Sequence, residues 1–153
     1  MLKRAFSGGL IVLAVIACGT PQPPAGHTKK LEMMPAPPGD VAPLVQKELQ
    51  VSARTGQRVL VYVGATWCEP CQRFHAAVEA GELDKQFPNL RLISFDLDRD
   101  SERLAAAGYV SQYIPLFTLP NADGRASERK VEGSVKGDAA VAQIAPRLRS
   151  LLQ

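Results

Sequence analysis

Between residues 40 and 152 the apolar positions change period several times, and each change marks a predicted element. Val41, Leu44, Val45 and Leu49 recur at helical spacing, with Asp40 as a cap before them and Thr55-Gly56 as a stop. RVLVYVG, residues 58–64, is an unbroken run rich in β-branched side chains, the mark of a buried central strand. Cys71, Phe74 and Val78 then share one face of a second helix, which Gly81 ends. RLISFDLD, residues 91–98, is a second buried strand, and Asp100 or Ser101 caps a short helix ending near Gly108. LFTLP (116–120) and ASERKVEG (126–133) flank NADG, whose chemistry suits a hairpin turn. From Asp138 onward Val141, Ile144, Leu148 and Leu151 keep helical step. Pro146 interrupts them, and an interior proline costs about 3 kcal/mol, so a kink or break is expected there. The order helix, strand, helix, strand, helix, hairpin, helix predicts an α/β sandwich: a mixed central sheet of four to five strands flanked by helices. It forms one domain over residues 40–153, without internal repeats.

The first forty residues follow no such pattern. Lys3 and Arg4 precede Leu10 to Ala17, a purely apolar stretch. As a helix it would span roughly 12 Å at 1.5 Å per residue, against about 30 Å of hydrocarbon, too little to cross a bilayer. A basic flank, a short apolar run and small residues are the parts of an export signal, here residues 1–17. VIAC, Val15 to Cys18, resembles the bacterial lipobox. That resemblance implies cleavage before Cys18 and acylation of its thiol, giving more than one lipid chain, as stable anchoring requires. The alternative is an ordinary signal whose apolar run ends in cysteine. Gly19 to Pro43 contains seven of the twelve prolines and almost no apolar periodicity, so residues 18–39 read as a lipidated cysteine and an extended tether. His27, Lys29 and Lys30 could touch anionic head groups, but solubilising the tether is the simpler role.

Cleavage there would remove Lys3 and Arg4 and lower the formal charge from +3 to +1. No basic stripe with interleaved aromatics remains, which excludes a nucleic-acid partner.

With Cys18 assigned to the lipid, Cys68 and Cys71 remain, in TWCEPC, residues 66–71. Taken alone, such a pair is a redox couple, half of a metal site or a structural disulfide. Its place at a predicted helix start matters, because free amide N–H groups and the helix dipole stabilise an anion there. Cysteines so placed ionise with pKa values of about 3.5 to 7.5 instead of about 8.5. Lowering the value to about 7 raises the thiolate fraction at neutral pH from about 3% to about 50%, but nucleophilicity falls, so attack gains only about threefold. The larger benefit is that Cys68 becomes a good leaving group when Cys71 attacks a mixed disulfide. Cys71, one turn on and aligned with Phe74 and Val78, should be the more buried thiol and suits that resolving role. Pro70 is tolerated because first-turn amides lack helical partners. Glu69 suits the dipole but puts a negative charge beside Cys68, an effect whose net sign the sequence leaves open.

WCEPC after an apolar strand resembles the WCGPC of the thioredoxin superfamily, and the likeness runs over roughly residues 40–152. In that family a cis-proline lies opposite the cysteines, and the residue before it offers its backbone to the substrate chain. Tyr113-Ile114-Pro115-Leu116 matches that site, which implies substrate-binding roles for Ile114 and Pro115 and, beside the cysteines, for Trp67. Ile114 before the proline is closer to the thioredoxins proper than to oxidases or isomerases. Two departures stand out. The buried Asp usual six residues before the first cysteine is Tyr62 here, and the Lys that pairs with it is Ser94. The proton relay to the resolving cysteine is thus absent or remodelled, and Asp96 and Asp98 read as strand-end residues.

His75 follows Cys71 by four residues and shares its helical face. It could deprotonate Cys71, although a half-buried, satisfied histidine is the simpler reading. Trp67 reads first as a packing lid. Two cysteines and one histidine do not make a four-ligand zinc site, so no metal and no cofactor are predicted. The resemblance implies an exported, lipid-tethered thiol-disulfide oxidoreductase on the periplasmic side of the cell envelope. Its partners would be protein disulfides or dithiols and a membrane redox protein. The alternatives are a non-catalytic binding module with a structural disulfide, or a copper-handling protein using the cysteines with His75 or Met33 and Met34.

Overall fold

The computed structural model describes residues 29–153, so the export segment, Cys18 and His27 lie outside the described residues. In chain order the elements are β1 (Glu32–Pro35), α1 (Val41–Thr55), β2 (Arg58–Gly64), α2 (Glu69–Glu79), β3 (Leu90–Asp96), α3 (Leu97–Ala106), β4 (Leu116–Pro120), β5 (Ala126–Glu132) and α4 (Ala139–Leu151). The strands form one five-stranded sheet in the order β1-β3-β2-β4-β5. β1, β3 and β2 run parallel, and the β4–β5 hairpin joins β2 antiparallel. This is the expected thioredoxin-like α/β architecture with a mixed sheet.

Alternation along the central strands divides the core into two layers. Leu60 and Tyr62 of β2, Leu92 of β3 and Phe117 of β4 point toward α2 and α4, where they meet Phe74, Ala77, Ile144 and Leu148. Val59, Val61 and Val63, with Ile93 and Phe95, point the other way onto Val41 and Val45 of α1 and Leu104 of α3. β2 is buried on both faces, which is why its sequence is a continuous apolar run.

Three boundaries differ from expectation. The tether reading of residues 18–39 does not hold for its last part. Met33 and Met34 alternate in β1, one packing against each core layer, and β1 pairs with β3 from Glu32↔Arg91 to Pro35↔Ser94. β1 is an edge strand with half-buried side chains, so it leaves no strong hydrophobic period, and an edge tolerates Pro35. Leu31 is buried, and Lys29 exchanges hydrogen bonds with Asn89. The same placement puts Met33 and Met34 in a strand packed on the core instead of in a tether.

The second correction concerns α3. The strand stops at Asp96, not Asp98, and Asp96 itself caps the helix: its Oδ1 accepts from the N–H groups of Asp98 and Arg99 at 3.0 and 3.2 Å. Asp100 and Ser101, the two expected caps, both lie inside the helix, and Asp100 is a buried carboxylate in its first turn that accepts from Arg99 and Arg103. Arg103 also donates to the carbonyls of Pro37 and Gly39, fastening the segment before α1 to α3.

Third, α4 continues through Pro146 without a break. Asp40 and Asp138 stand at the N-caps of α1 and α4 without side-chain capping bonds, and Gly56 ends α1 in the left-handed conformation at φ 68°. Gly124 of the hairpin, at φ 82°, lies so close to the Ala42 carbonyl that any side chain would collide, which lets the turn rest on α1. Its own carbonyl accepts from the Tyr109 hydroxyl at 2.8 Å.

Candidate active site

After β2 the chain turns sharply, with the Cys68 N–H donating to the Ala65 carbonyl at 3.2 Å, and α2 begins. Cys68 occupies the N-cap with extended backbone, and its Sγ accepts from the Cys71 N–H at 3.3 Å. Glu69 and Pro70 fill the first helical positions, where proline loses no helical bond and its fixed φ suits the turn. Cys68 and Cys71 are joined as a disulfide with Cα atoms 5.2 Å apart. Both are buried, Cys71 at 1% exposure and Cys68 at 5%.

The two sulfurs look onto different spaces. Cys68 lines a groove of about 340 Å³ together with Trp67, Pro70, Leu97, Tyr113 and Ile114. Ile114 also packs directly on the disulfide cluster. The Ile114-Pro115 peptide is cis, and the buried Pro115 accepts the Gly133 N–H at its carbonyl, so β5 braces the loop opposite the cysteines. Trp67 is not a packed lid. It is 63% exposed, and its Nε1–H donates to Asp98 Oδ2 at 2.8 Å, which stands the ring at the groove's rim. Asp98 therefore belongs to the first turn of α3 and positions Trp67, a role its place in a predicted strand end concealed. Leu97 and Lys136, also in the groove wall, carry no local sequence signal; only the fold brings them there.

Glu69 has its charge compensated. Its carboxylate accepts from Arg73 Nε at 2.7 Å and from the Gly137 N–H at 3.0 Å, and these bonds hold its pKa below the usual carboxylate value. Arg73 also reaches Asp138 at 2.6 Å. The negative charge beside Cys68 is thus tied back to α2 and the loop before α4.

Behind the disulfide lies a second space, a cavity of about 420 Å³ lined by Cys71, Tyr62, His75, Ser94, Asp96 and Arg99 among others. Tyr62 and Ser94 are register partners on β2 and β3 and face α2 together, so the two positions that depart from the superfamily pattern are true neighbours. Tyr62 is fully buried in an aromatic cluster with Phe74, Phe117 and His75. Its hydroxyl lies over Gly64, where any side chain would collide with it, and has no hydrogen-bond partner among the described residues. Burial raises its pKa, so it stays a neutral phenol. His75 is half-buried with its ring edge-on to Tyr62 at 5.2 Å between centroids. Burial lowers its pKa, and Glu79 opposes that only in part. Among the described residues no group of three His, Cys, Asp or Glu side chains could hold a metal ion.

The sequence profile of the thioredoxin-like family matches residues 43–122, which span the helix before β2 through the hairpin turn. A thioredoxin of Aspergillus fumigatus, Asp f 28, is 34% identical over 91 residues, covering 60% of this chain and 76% of the relative. Among solved structures, a thioredoxin variant from Halobacterium salinarum is 25% identical, covers 82% of this chain and 92% of that one, and aligns with a TM-score of 0.48. A poplar thioredoxin h is 19% identical over 81% of this chain and 97% of its own, at a TM-score of 0.47. A disulphide isomerase from Xylella fastidiosa is 22% identical over 72% and 79%, at a TM-score of 0.42. With the family profile, the fungal relative and the Cys68–Cys71 pair at the start of α2 in agreement, this chain belongs to the thioredoxin-like family and is a thiol-disulfide oxidoreductase.

Proposed function

We propose that this enzyme exchanges disulfides with protein substrates outside the cytoplasm, held to a membrane by lipid on Cys18. The observation that carries the catalytic reading is that Cys68 caps α2 and opens on the groove while Cys71 is shielded behind it. In the reducing direction the Cys68 thiolate attacks one sulfur of a substrate disulfide, and the other leaves as a thiolate. Cys71, as thiolate, then attacks Cys68 Sγ in the mixed disulfide, forms the Cys68–Cys71 bond and expels the second substrate thiolate. Two electrons pass to the substrate, and the reverse sequence oxidises a dithiol. Trp67, Ile114 and Pro115 form the walls along which an extended substrate segment lies, with Ile114 offering its backbone.

The address rests on residues 1–18: a basic flank, a short apolar run and VIAC. A reductant working outside the cytoplasm needs electrons delivered across the membrane, so a membrane redox protein is the natural partner; an oxidant would need a quinone-linked one. Insulin disulfide reduction by the wild type and by Cys68→Ser and Cys71→Ser tests the chemistry. Activity that persists without Cys68 overturns it. Membrane fractionation and mass analysis of wild type and Cys18→Ala test the anchor, and a wild-type protein without added acyl mass overturns it.

A further inference from the structure

The resolving step needs Cys71 to lose a proton while it is sealed from the groove by Cys68 and a bound substrate. The space that Cys71 does line is the cavity on its other side, and His75 lines the same cavity one turn further along α2. At about 420 Å³ the cavity has room for several waters, each of which occupies about 30 Å³. The buried Tyr62 hydroxyl, unpartnered among the described residues, and the neighbouring Ser94 supply polar anchors for such water.

We propose that His75 accepts the Cys71 proton in the resolving step through water in this cavity, an inference that rests on the exchange reaction proposed above. The mixed disulfide joins Cys68 Sγ to a substrate sulfur. The Cys71 thiol gives its proton to the neutral imidazole, and its electron pair forms the bond to Cys68 Sγ. The Cys68–substrate bond breaks with its pair leaving on the substrate thiolate, and the imidazolium returns the proton to water. Catalysis by a positioned base of this kind typically contributes 10²- to 10⁴-fold. Burial favours the neutral ring at pH 7, so His75 is available as a base.

The groups facing His75 are few. Tyr62 of β2 is neutral, and Glu79 lies one turn on along α2. Glu32 of β1 borders the adjoining space that His75 also lines. Asp96 at the end of β3 spends Oδ1 on the amides of α3, and Arg99 is paired with Asp100. Glu79 and Asp96 are therefore the rival bases.

A symmetrical aromatic disulfide mixed with the reduced full chain in a stopped-flow instrument releases two chromophoric thiolates, first by Cys68 attack and then by resolution. In His75→Gln the first phase should be unchanged. The second should slow at least tenfold at pH 7 and lose its inflection below about pH 6.5, the ordinary histidine value. An intact first phase reports a folded variant, and His75→Asn read the same way covers a Gln side chain that disturbs α2. Second phases that superimpose on the wild type across pH overturn the proposal, as does an inflection lost only in Glu79→Gln or Asp96→Asn. If the first phase survives in Cys68→Ser, the exchange reading itself falls; if it requires Cys68 while resolution ignores His75, only this proposal falls.

Discussion

α2 and α3 begin near each other, because β2 and β3 are parallel neighbours and each leads into a helix, β3 directly and β2 after a short turn. At α3 the cap is Asp96, whose carboxylate takes two backbone N–H groups, and Asp100 and its arginines complete a fixed ion network one turn on. At α2 the cap is Cys68, whose large neutral sulfur accepts one N–H at 3.3 Å. The backbone is nearly the same, with φ and ψ of −98° and 123° at Asp96 and −82° and 102° at Cys68. The difference is the atom that meets the amides. A carboxylate neutralises the positive helix end permanently, whereas a disulfide sulfur leaves it ready for the negative charge that appears only on reduction. One start is structural and its neighbour reactive, and the Trp67–Asp98 hydrogen bond links them.

Cys68→Ser should have the largest effect. Serine is itself a good N-cap, so the variant should melt within about 1 kcal/mol of the reduced wild type while insulin reduction falls to the level without enzyme. A stable variant that keeps activity would mean that the cap atom is not the nucleophile. Next in size is Asp100→Ala, which removes charge-assisted hydrogen bonds from Arg99 and Arg103 and should lower stability by about 2 kcal/mol in chemical denaturation. Its pH dependence has a definite sign. Burial alone would raise the Asp100 pKa, but the hydrogen bonds from Arg99, the Asp96 N–H and Arg103 outweigh it and hold the carboxyl below its ordinary value. The contribution is thus complete above about pH 4 and lost as pH falls through the lowered folded-state value, so the wild-type advantage over Asp100→Ala should fade on the acid side.

Asp96→Ala tests the structural cap itself. It should cost about 1 kcal/mol in chemical denaturation, because the amides of Asp98 and Arg99 lose their acceptor. The smallest effect sharpens the reactive side. Glu69→Gln removes a charge already compensated by Arg73 and Gly137, so the alkylation rate of reduced Cys68 near pH 7 should change by no more than about twofold. A much larger change would show that Glu69, not the helix end, governs the thiol.

These two starts were not equally legible. WCEPC announces a helix beginning at a cysteine because proline and the apolar positions that follow leave few alternatives. SFDLDRDS offers three aspartates and a serine as caps, and local pattern does not choose among them. Asp96 wins because β3 must end level with β2, where Asp96 pairs with Gly64, which leaves Asp100 to be buried against α3's own arginines. β1 leaves no local signal for a related reason: half-buried on the rim, EMMP is held by pairing with β3 more than by any apolar period of its own. The tether reading of residues 18–39 accordingly ran too far, past the point where Leu31 enters the core.

Local period and the chemistry of adjacent residues were enough for the two-faced central strands and the cysteine pair at a helix start, whereas the place of Pro115 opposite that pair came from the family resemblance alone. Only the tertiary structure decided that Cys68 opens on a groove and Cys71 on a separate cavity, that Tyr62 and Ser94 stand side by side, and that Trp67 is steered by Asp98. Those relations join side chains from strands and helices far apart in the chain. Sheet order and register set them, and no short-range pattern encodes either.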